Sequence, residues 1–147
     1  MDNCLTLDHE GVMGILPHRE PILLVDTVSE CVPMDHIEAA LYIDPEWDVF
    51  RGHFPGAPVF PGVLSVECMA QAADIMLMTA EKYQGKTPLF AGIDKARFLR
   101  KISPGDQVTA KVKVASENEE KAIITCDAEL YQADGLAAKA TVTLAMR

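Results

Sequence analysis

The sequence predicts an α+β domain in which an antiparallel β-sheet curls around one long, buried helix. The helix is expected from Pro61 to Lys82, where apolar residues fall on nearly every face and therefore need cover on several sides. Apolar and polar residues alternate from Val108 to Val114, which is typical of a half-buried strand. An Asp134-Gly135 pair between two β-favouring segments indicates a hairpin. One strand pair, one helix and then consecutive strands are most simply arranged as a sheet wrapped on that helix.

Length and composition limit the classes of protein that fit. A chain of 147 residues is expected to form one domain, residues 1–147, and 49% hydrophobic with 24% charged residues is an ordinary globular balance. The net charge of −9 predicts repulsion from nucleic acid and from anionic membrane surfaces. The most apolar segment, Val63 to Ala80, contains Ser, Glu, Gln and Asp, so we expect a core helix and not a membrane span.

The cysteines and the N-terminus predict a cytoplasmic protein. The four cysteines are scattered singly and form no metal-ligand spacing, so we expect reduced thiols and no metal site. The N-terminus shows no cationic start followed by an apolar stretch, so we expect no signal peptide.

The first third of the chain predicts a helix and a strand pair. Apolar residues from Leu7 to Leu16 lie near helical spacing. Pro21 to Val28 and His36 to Ile43 are β-favouring, and Pro33 to Asp35 supplies a turn between them. Asp44 to Arg51 is expected to be an ordered loop.

The chain after the long helix predicts only strands. Gln84 to Pro88 is a break, Leu89 to Ile102 a strand, and Pro104-Gly105-Asp106 a turn. The last two strands are expected at about Ala122 to Tyr131 and Leu136 to Met146.

The residues most suited to chemistry lie in one stretch, Gly52 to Gln71, where a Gly/Pro-rich bend feeds the long helix. His53 in the bend and Glu67 in the helix form a candidate acid–base pair if the loop folds back onto its own helix. The first amides of the helix, at Gly62 and Val63, are candidate donors to a developing oxyanion. The spacing also allows a structural histidine and a glutamate paired with a basic residue.

These residues resemble the signature of the 3-hydroxyacyl-acyl-carrier-protein dehydratases of the FabZ family. The similarity extends along the chain from about Leu16 to Asp106. The matching segments, in order, are Leu16-Pro17-His18-Arg19, Pro21, Leu23-Leu24-Val25-Asp26, His53-Phe54-Pro55-Gly56, Pro61-Gly62-Val63-Leu64, Glu67-x-Met69-Ala70-Gln71-Ala72, Ala91-Gly92-Ile93-Asp94-Lys95-Ala96-Arg97-Phe98 and Pro104-Gly105-Asp106.

The resemblance implies a hot-dog fold and dehydration of (3R)-3-hydroxyacyl carrier protein to the trans-2-enoyl product, with no cofactor. It implies a homodimer in which His53 of one protomer faces Glu67 of the other, replacing the intrachain pair, and commonly a hexamer of three dimers. His53 would be the base, held by the Val59 carbonyl. The Gly62 amide would polarise the thioester carbonyl, and Glu67 would orient or protonate the departing hydroxyl.

The partner implied by the resemblance is an acidic acyl carrier protein bearing a phosphopantetheine arm. Four basic residues that lie close together in the sequence are its candidate docking patch: Lys95, Arg97, Arg100 and Lys101. The same residues also fit a solvated strand edge. Arg19 and Arg51 are candidates to extend the patch. Candidate walls of an acyl tunnel, most of which also fit the core, are Phe54, Met69, Ile75, Met76, Phe90 and Phe98.

The sequence leaves alternative functions open. The closest is a dehydratase that also isomerises trans-2 to cis-3 enoyl chains, followed by a hot-dog thioesterase and a non-catalytic carrier-binding module. The chain departs from the usual family pattern at Glu20, at Asp48 to Arg51 and before Phe90, where a tyrosine is usual. His18 is expected to be structural. His9 and His36 show no partner pattern in the sequence and are expected to be surface residues.

Overall fold

The computed structural model describes residues 4–147 and contains one antiparallel sheet, one long helix and one short helix. The seven strands are hydrogen-bonded in the order β1-β2-β3-β5-β6-β7-β4. The elements are β1 Leu5–Leu7, α1 His9–Ile15, β2 Thr27–Val32, β3 His36–Tyr42, α2 Gly62–Met78, β4 Pro88–Phe98, β5 Gln107–Asn118, β6 Ile123–Gln132 and β7 Gly135–Met146. Two 3-10 turns lie at Asp48–Arg51 and Glu81–Tyr83.

Helix α2 packs against strands β3 to β7, which confirms the predicted α+β arrangement. Twelve of its residues, from Ser65 to Leu77, are buried, so the helix is the centre of the core. The helix ends earlier than predicted, at Met78. The Thr79 hydroxyl donates to the Met76 carbonyl, and Ala80 adopts an extended ψ of 135°, which cannot continue a helix.

The prediction of a strand from Pro21 to Val28 is wrong for most of its length. Strand β2 begins at Thr27, and the apolar Leu23, Leu24 and Val25 lie in an irregular segment that is nevertheless buried. Part of its backbone pairs with a side chain in place of a neighbouring strand. The Leu24 amide donates to Gln71 Oε1, and the Ile22 carbonyl accepts from Gln71 Nε2, both at 2.7 Å.

The other N-terminal predictions are close to the observed elements. Helix α1 is confirmed within the predicted segment and starts at His9 because Asp8 caps it, accepting from the Gly11 amide at 2.8 Å. Strand β3 is confirmed. Strand β1 and the 3-10 turn at Asp48–Arg51 were not predicted.

The C-terminal sheet follows the predicted order. Strands β6 and β7 form the predicted hairpin, with Gly135 at φ 130°, a conformation that favours glycine. Strand β4 ends at Phe98, four residues before its predicted end. The amides of Leu99 and Arg100 both donate to the Ala137 carbonyl, so the regular ladder stops there.

The described residues contain no helix with the length and apolar character needed to cross a membrane. Three of the cysteines, Cys31, Cys68 and Cys126, are buried and form no disulfide. Burial raises the pKa of Cys68 and of Cys126 to about 12, so these thiols stay protonated at neutral pH.

Candidate active site

The half-buried His53 lies just before α2, in a bend that hydrogen bonds fix on both sides. Its amide donates to the Val49 carbonyl, and its carbonyl accepts from the Val59 amide, each at 3.0 Å. The ring Nδ1 lies 2.8 Å from the Val59 carbonyl oxygen. A carbonyl only accepts, so Nδ1 carries the hydrogen of a neutral ring and Nε2 keeps its lone pair. The ring is therefore oriented to accept a proton at Nε2.

The start of α2 offers backbone amides close to an aromatic wall. Pro61 precedes the helix, and the first amides, at Gly62 and Val63, have no carbonyl one turn earlier to bind within the helix. A Cβ built on Gly62 would meet the Phe98 ring at 3.0 to 3.3 Å, tighter than ordinary van der Waals contact, so a side chain here would require the ring to shift. Glycine thus lets the ring of β4 pack directly on the first turn of α2.

Glu67 is half-buried in the second turn of α2 and is held by Gln71. Gln71 Nε2 donates to Glu67 Oε2 and to the Ile22 carbonyl, each at 2.7 Å, while Gln71 Oε1 accepts from the Leu24 amide. Gln71 is fully buried, so it links the carboxylate to the irregular segment at residues 22–24. This arrangement limits the directions in which Glu67 can point.

Two further titratable groups lie next to Glu67. His18 Nε2 is 3.8 Å from Glu67 Oε2 and 4.0 Å from Asp74 Oδ2, distances that are too long for hydrogen bonds. Burial, followed by the charge of Glu67, raises the pKa of Asp74 well above its usual range. Sequence reasoning singled out neither Asp74 nor the role of Gln71. The available signal is the spacing of Glu67, Gln71 and Asp74 along one face of an otherwise apolar helix.

Within the described chain, no hydrogen bond or ion pair joins His53 to Glu67. All polar contacts of the Glu67 carboxylate found among residues 4–147 come from Gln71 and His18, on the side of the N-terminal segment. The intrachain acid–base contact that the spacing allowed is therefore absent from this part of the molecule.

The four basic residues do not lie in a single groove. Arg100 and Lys101 line a groove of about 520 Å³ together with Val59, Gly62 and Phe98. Lys95 lines a different groove on the face of the sheet, beside lysines 111, 113 and 139. Arg97 is exposed, and its guanidinium donates to the neighbouring Ala96 carbonyl. Of the four, Arg100 and Lys101 are the two that line the groove containing Gly62.

The predicted tunnel residues divide into two groups. Met69, Ile75 and Met76 are fully buried in the core of this chain, whereas Phe54, Phe90 and Phe98 are between 41% and 55% exposed. The three phenylalanines therefore lie outside the core of this chain.

The two remaining histidines, predicted as surface residues, are half-buried and have hydrogen-bond partners in the chain. His9 Nδ1 lies 3.0 Å from the Asp26 carbonyl. His36 is bonded by Asp35 and Glu30 at 2.6 Å each, and these contacts raise its pKa. Neither ring has a described contact with the residues around Glu67.

Comparison with protein families and curated proteins adds to this geometry. A family model described as the FabA-like domain matches residues 16–141. A 3-hydroxyacyl-[acyl-carrier-protein] dehydratase FabZ of Symbiobacterium thermophilum is 41% identical over 91% of this chain and 93% of its own length. The protein of the same name from Polynucleobacter necessarius is 38% identical over 100% of this chain and 97% of its own.

Two solved structures share the fold at low sequence identity. The dehydratase heterocomplex ApeI:P from Xenorhabdus doucetiae aligns with a TM-score of 0.77 at 16% identity, over 92% of this chain and 90% of that one. A hypothetical thioesterase with coenzyme A from Streptococcus pneumoniae aligns at 0.63 and 11% identity, with the same coverage. These likenesses establish the hot-dog architecture.

Proposed function

The chain belongs to the FabA-like family, among its FabZ dehydratases, and from this membership we propose which residues and which assembly remove water from 3-hydroxyacyl carrier-protein thioesters. The reaction is the dehydration of 3-hydroxyacyl-[acyl-carrier-protein] in fatty acid biosynthesis. The (3R) configuration of the substrate and the trans-2-enoyl product are part of the proposal.

His53 is the base. The observation that carries this assignment is the 2.8 Å contact between its Nδ1 and the Val59 carbonyl, which leaves Nε2 free to take a proton from C2 of the acyl chain. The Gly62 amide donates a hydrogen bond to the thioester oxygen as negative charge develops on that oxygen. The base then forms an N–H bond as the C2–H bond breaks.

Glu67 is the acid. Its proton passes to the C3 hydroxyl, which leaves as water while the C2–C3 double bond forms. Gln71 keeps Glu67 oriented because its amide is itself fixed to two backbone groups. Each turnover leaves a proton on His53 and a charge on Glu67, and both are reset by proton exchange before the next one.

The active unit is a homodimer in which His53 of one protomer meets Glu67 of the other. Strand β4 is at the edge of the sheet and exposes a row of apolar side chains: Leu89, Phe90, Ile93 and Phe98. Val63, at the start of α2, is 76% exposed. A long apolar edge strand favours pairing with another chain, and a second copy fits it by two-fold symmetry. Three such dimers make the proposed hexamer.

The domain is a single unit over 1–147 and works in the cytoplasm. The buried thiols Cys31, Cys68 and Cys126 support a reducing compartment. No cofactor takes part in the proposed chemistry.

Turnover of a defined substrate tests the reaction. We expect the purified protein to convert a (3R)-3-hydroxyacyl carrier protein to the trans-2-enoyl product, observed by mass spectrometry and chromatography of the released acids. Appearance of the cis-3 isomer would favour the dehydratase-isomerase, and free carrier thiol would favour a thioesterase. Binding of the substrate without turnover would contradict the assignment as an enzyme.

The carrier protein docks on Arg100 and Lys101, which line the groove that includes Gly62. We expect Arg100→Glu with Lys101→Glu to raise KM for carrier-bound substrate on the order of tenfold, because like charges then face an acidic partner. The KM for a small thioester should stay unchanged. Lys121→Glu, on the exposed turn between β5 and β6, is the control. Equal effects on both substrates would exclude docking at this groove.

A further inference from the structure

The polar face of α2 continues beyond the residues used above. Glu67, Gln71 and Asp74 lie along one side of the helix and face the segment that carries His18. The His18 Nε2 atom is nearly equidistant from Glu67 Oε2, at 3.8 Å, and Asp74 Oδ2, at 4.0 Å. One imidazole nitrogen therefore lies between the proposed acid and a second carboxyl group.

Asp74 is an unusual residue for this place. It is 5% exposed, and its Oδ1 atom is buried without a hydrogen-bond partner among the described residues, as is His18 Nδ1. The titratable groups that face Asp74 are Glu67 on its own helix, His18 on the N-terminal segment and the buried thiol of Cys126 on β6. A carboxyl group this buried, with one oxygen unpartnered, is costly to ionise; burial, more than the neighbouring Glu67, raises the pKa of Asp74 well above its usual range and favours the neutral acid.

A neutral Asp74 has a hydrogen to donate, and His18 Nε2 is the nearby ring nitrogen. The 4.0 Å contact is about 1 Å longer than a hydrogen bond, so a small movement of the imidazole closes it. While Nε2 accepts from Asp74, it carries no proton of its own. Without that donor, Nε2 can take up a proton and form an ion pair with Glu67. This ion pair favours the charged form of Glu67, which has no proton to donate to the substrate.

We propose that Asp74 is a positioning residue for the dehydration, which donates a hydrogen bond to His18 Nε2 and so keeps the imidazole beside Glu67 uncharged. This inference rests on the proposed function, in which Glu67 gives up a proton. It assigns a chemical task to two residues outside the proposed acid–base pair.

Two substitutions at Asp74 separate the task from simple packing. Asp74→Asn keeps an N–H donor toward His18, so kcat should remain within about threefold of the original. Asp74→Leu keeps the branched shape at Cγ but has no donor, so kcat near neutral pH should fall by about tenfold or more, with KM little changed. The pH optimum of Asp74→Leu should move down, because a lower pH returns the proton to Glu67. Adding His18→Phe to Asp74→Leu should recover activity, since the cation cannot form.

Two spectra test the same idea without turnover. The infrared spectrum at neutral pH should contain a carboxylic-acid carbonyl band that both Asp74 variants lose and that Glu120→Gln, the same kind of change on an exposed turn, retains. Nitrogen-15 NMR should place the hydrogen of His18 on Nδ1 in the original protein and on both nitrogens in Asp74→Leu.

Several results would overturn the inference: no acid band that depends on Asp74, an Asp74→Leu enzyme with the original kcat and pH profile, or an Asp74→Asn enzyme as impaired as Asp74→Leu. A fully active Glu67→Gln enzyme would instead remove the proposed function, while the infrared and NMR spectra would still report on Asp74.

Discussion

His53→Ala is expected to lower kcat for dehydration by about 10²–10⁴-fold, because it removes the group that accepts the C2 proton. The fold should be unaffected. Two of the hydrogen bonds that shape the bend, from the His53 amide to the Val49 carbonyl and from the Val59 amide to the His53 carbonyl, join backbone atoms and survive the substitution. Rates with a 3-hydroxyacyl carrier protein, together with thermal unfolding followed by circular dichroism, give the two measurements.

A matched control is available at His9. Its ring is also half-buried and also contacts a backbone carbonyl, that of Asp26, at 3.0 Å. His9→Ala therefore removes the same kind of interaction without touching the proposed base, and its rate should remain near the original. If His53→Ala turns over at the same rate as His9→Ala, His53 is not the base.

Mixing two inactive variants is expected to restore activity. If each site takes His53 from one protomer and Glu67 from the other, a dimer of one His53→Ala chain and one Glu67→Gln chain contains one intact site and one doubly altered site. Random exchange of equal amounts should therefore recover about one quarter of the original activity. Each variant alone should remain reduced by orders of magnitude.

Subunit exchange must be demonstrated separately, for example by native mass spectrometry of chains with different tags. Recovery should follow the fraction of mixed dimers, and dilution below the dimer dissociation constant should abolish it. Mixed dimers without recovery would show that both groups act within one chain. An active monomer would lead to the same conclusion.

Much of the fold could be predicted because the local patterns agree with the final environment. Alternation from Val108 to Val114 and the Asp134-Gly135 turn depend on neighbours within the same hairpin, so they can be recognised without tertiary information. The apolar character of α2 on all sides likewise indicated the sheet that covers it.

The errors in the fold have a tertiary cause. Pro21 to Val28 has the composition of a strand, yet two of its backbone groups are satisfied by Gln71, which is 47 to 49 residues away along the chain. Composition indicates that Leu23 to Val25 are buried, but it does not indicate which groups form hydrogen bonds with the backbone amides and carbonyls of this segment. A side chain from a distant helix replaced the expected neighbouring strand.

The candidate site could be predicted from the sequence to a similar extent. His53, Val59, Gly62 and Glu67 are contained in one short stretch whose motif names them. Asp74 could not be identified as a site residue from the sequence. A single polar residue near the end of an apolar helix indicates no function until His18, from another part of the chain, is known to lie beside it. Its relevance depends on distance in space and on burial.

The contact between Gly62 and Phe98 affects how resistance to inhibitors of this protein would arise. At the first turn of α2, any added methyl group would lie 3.0 to 3.3 Å from the aromatic ring, tighter than ordinary van der Waals contact. A compound that binds the amide at this turn uses a backbone group, which no point mutation except one to proline can delete. That group lies at a position that tolerates no larger residue unless Phe98 moves. Resistance to such a compound would have to arise at residues around this turn, and we expect it to carry a loss of fitness whenever the ring is displaced.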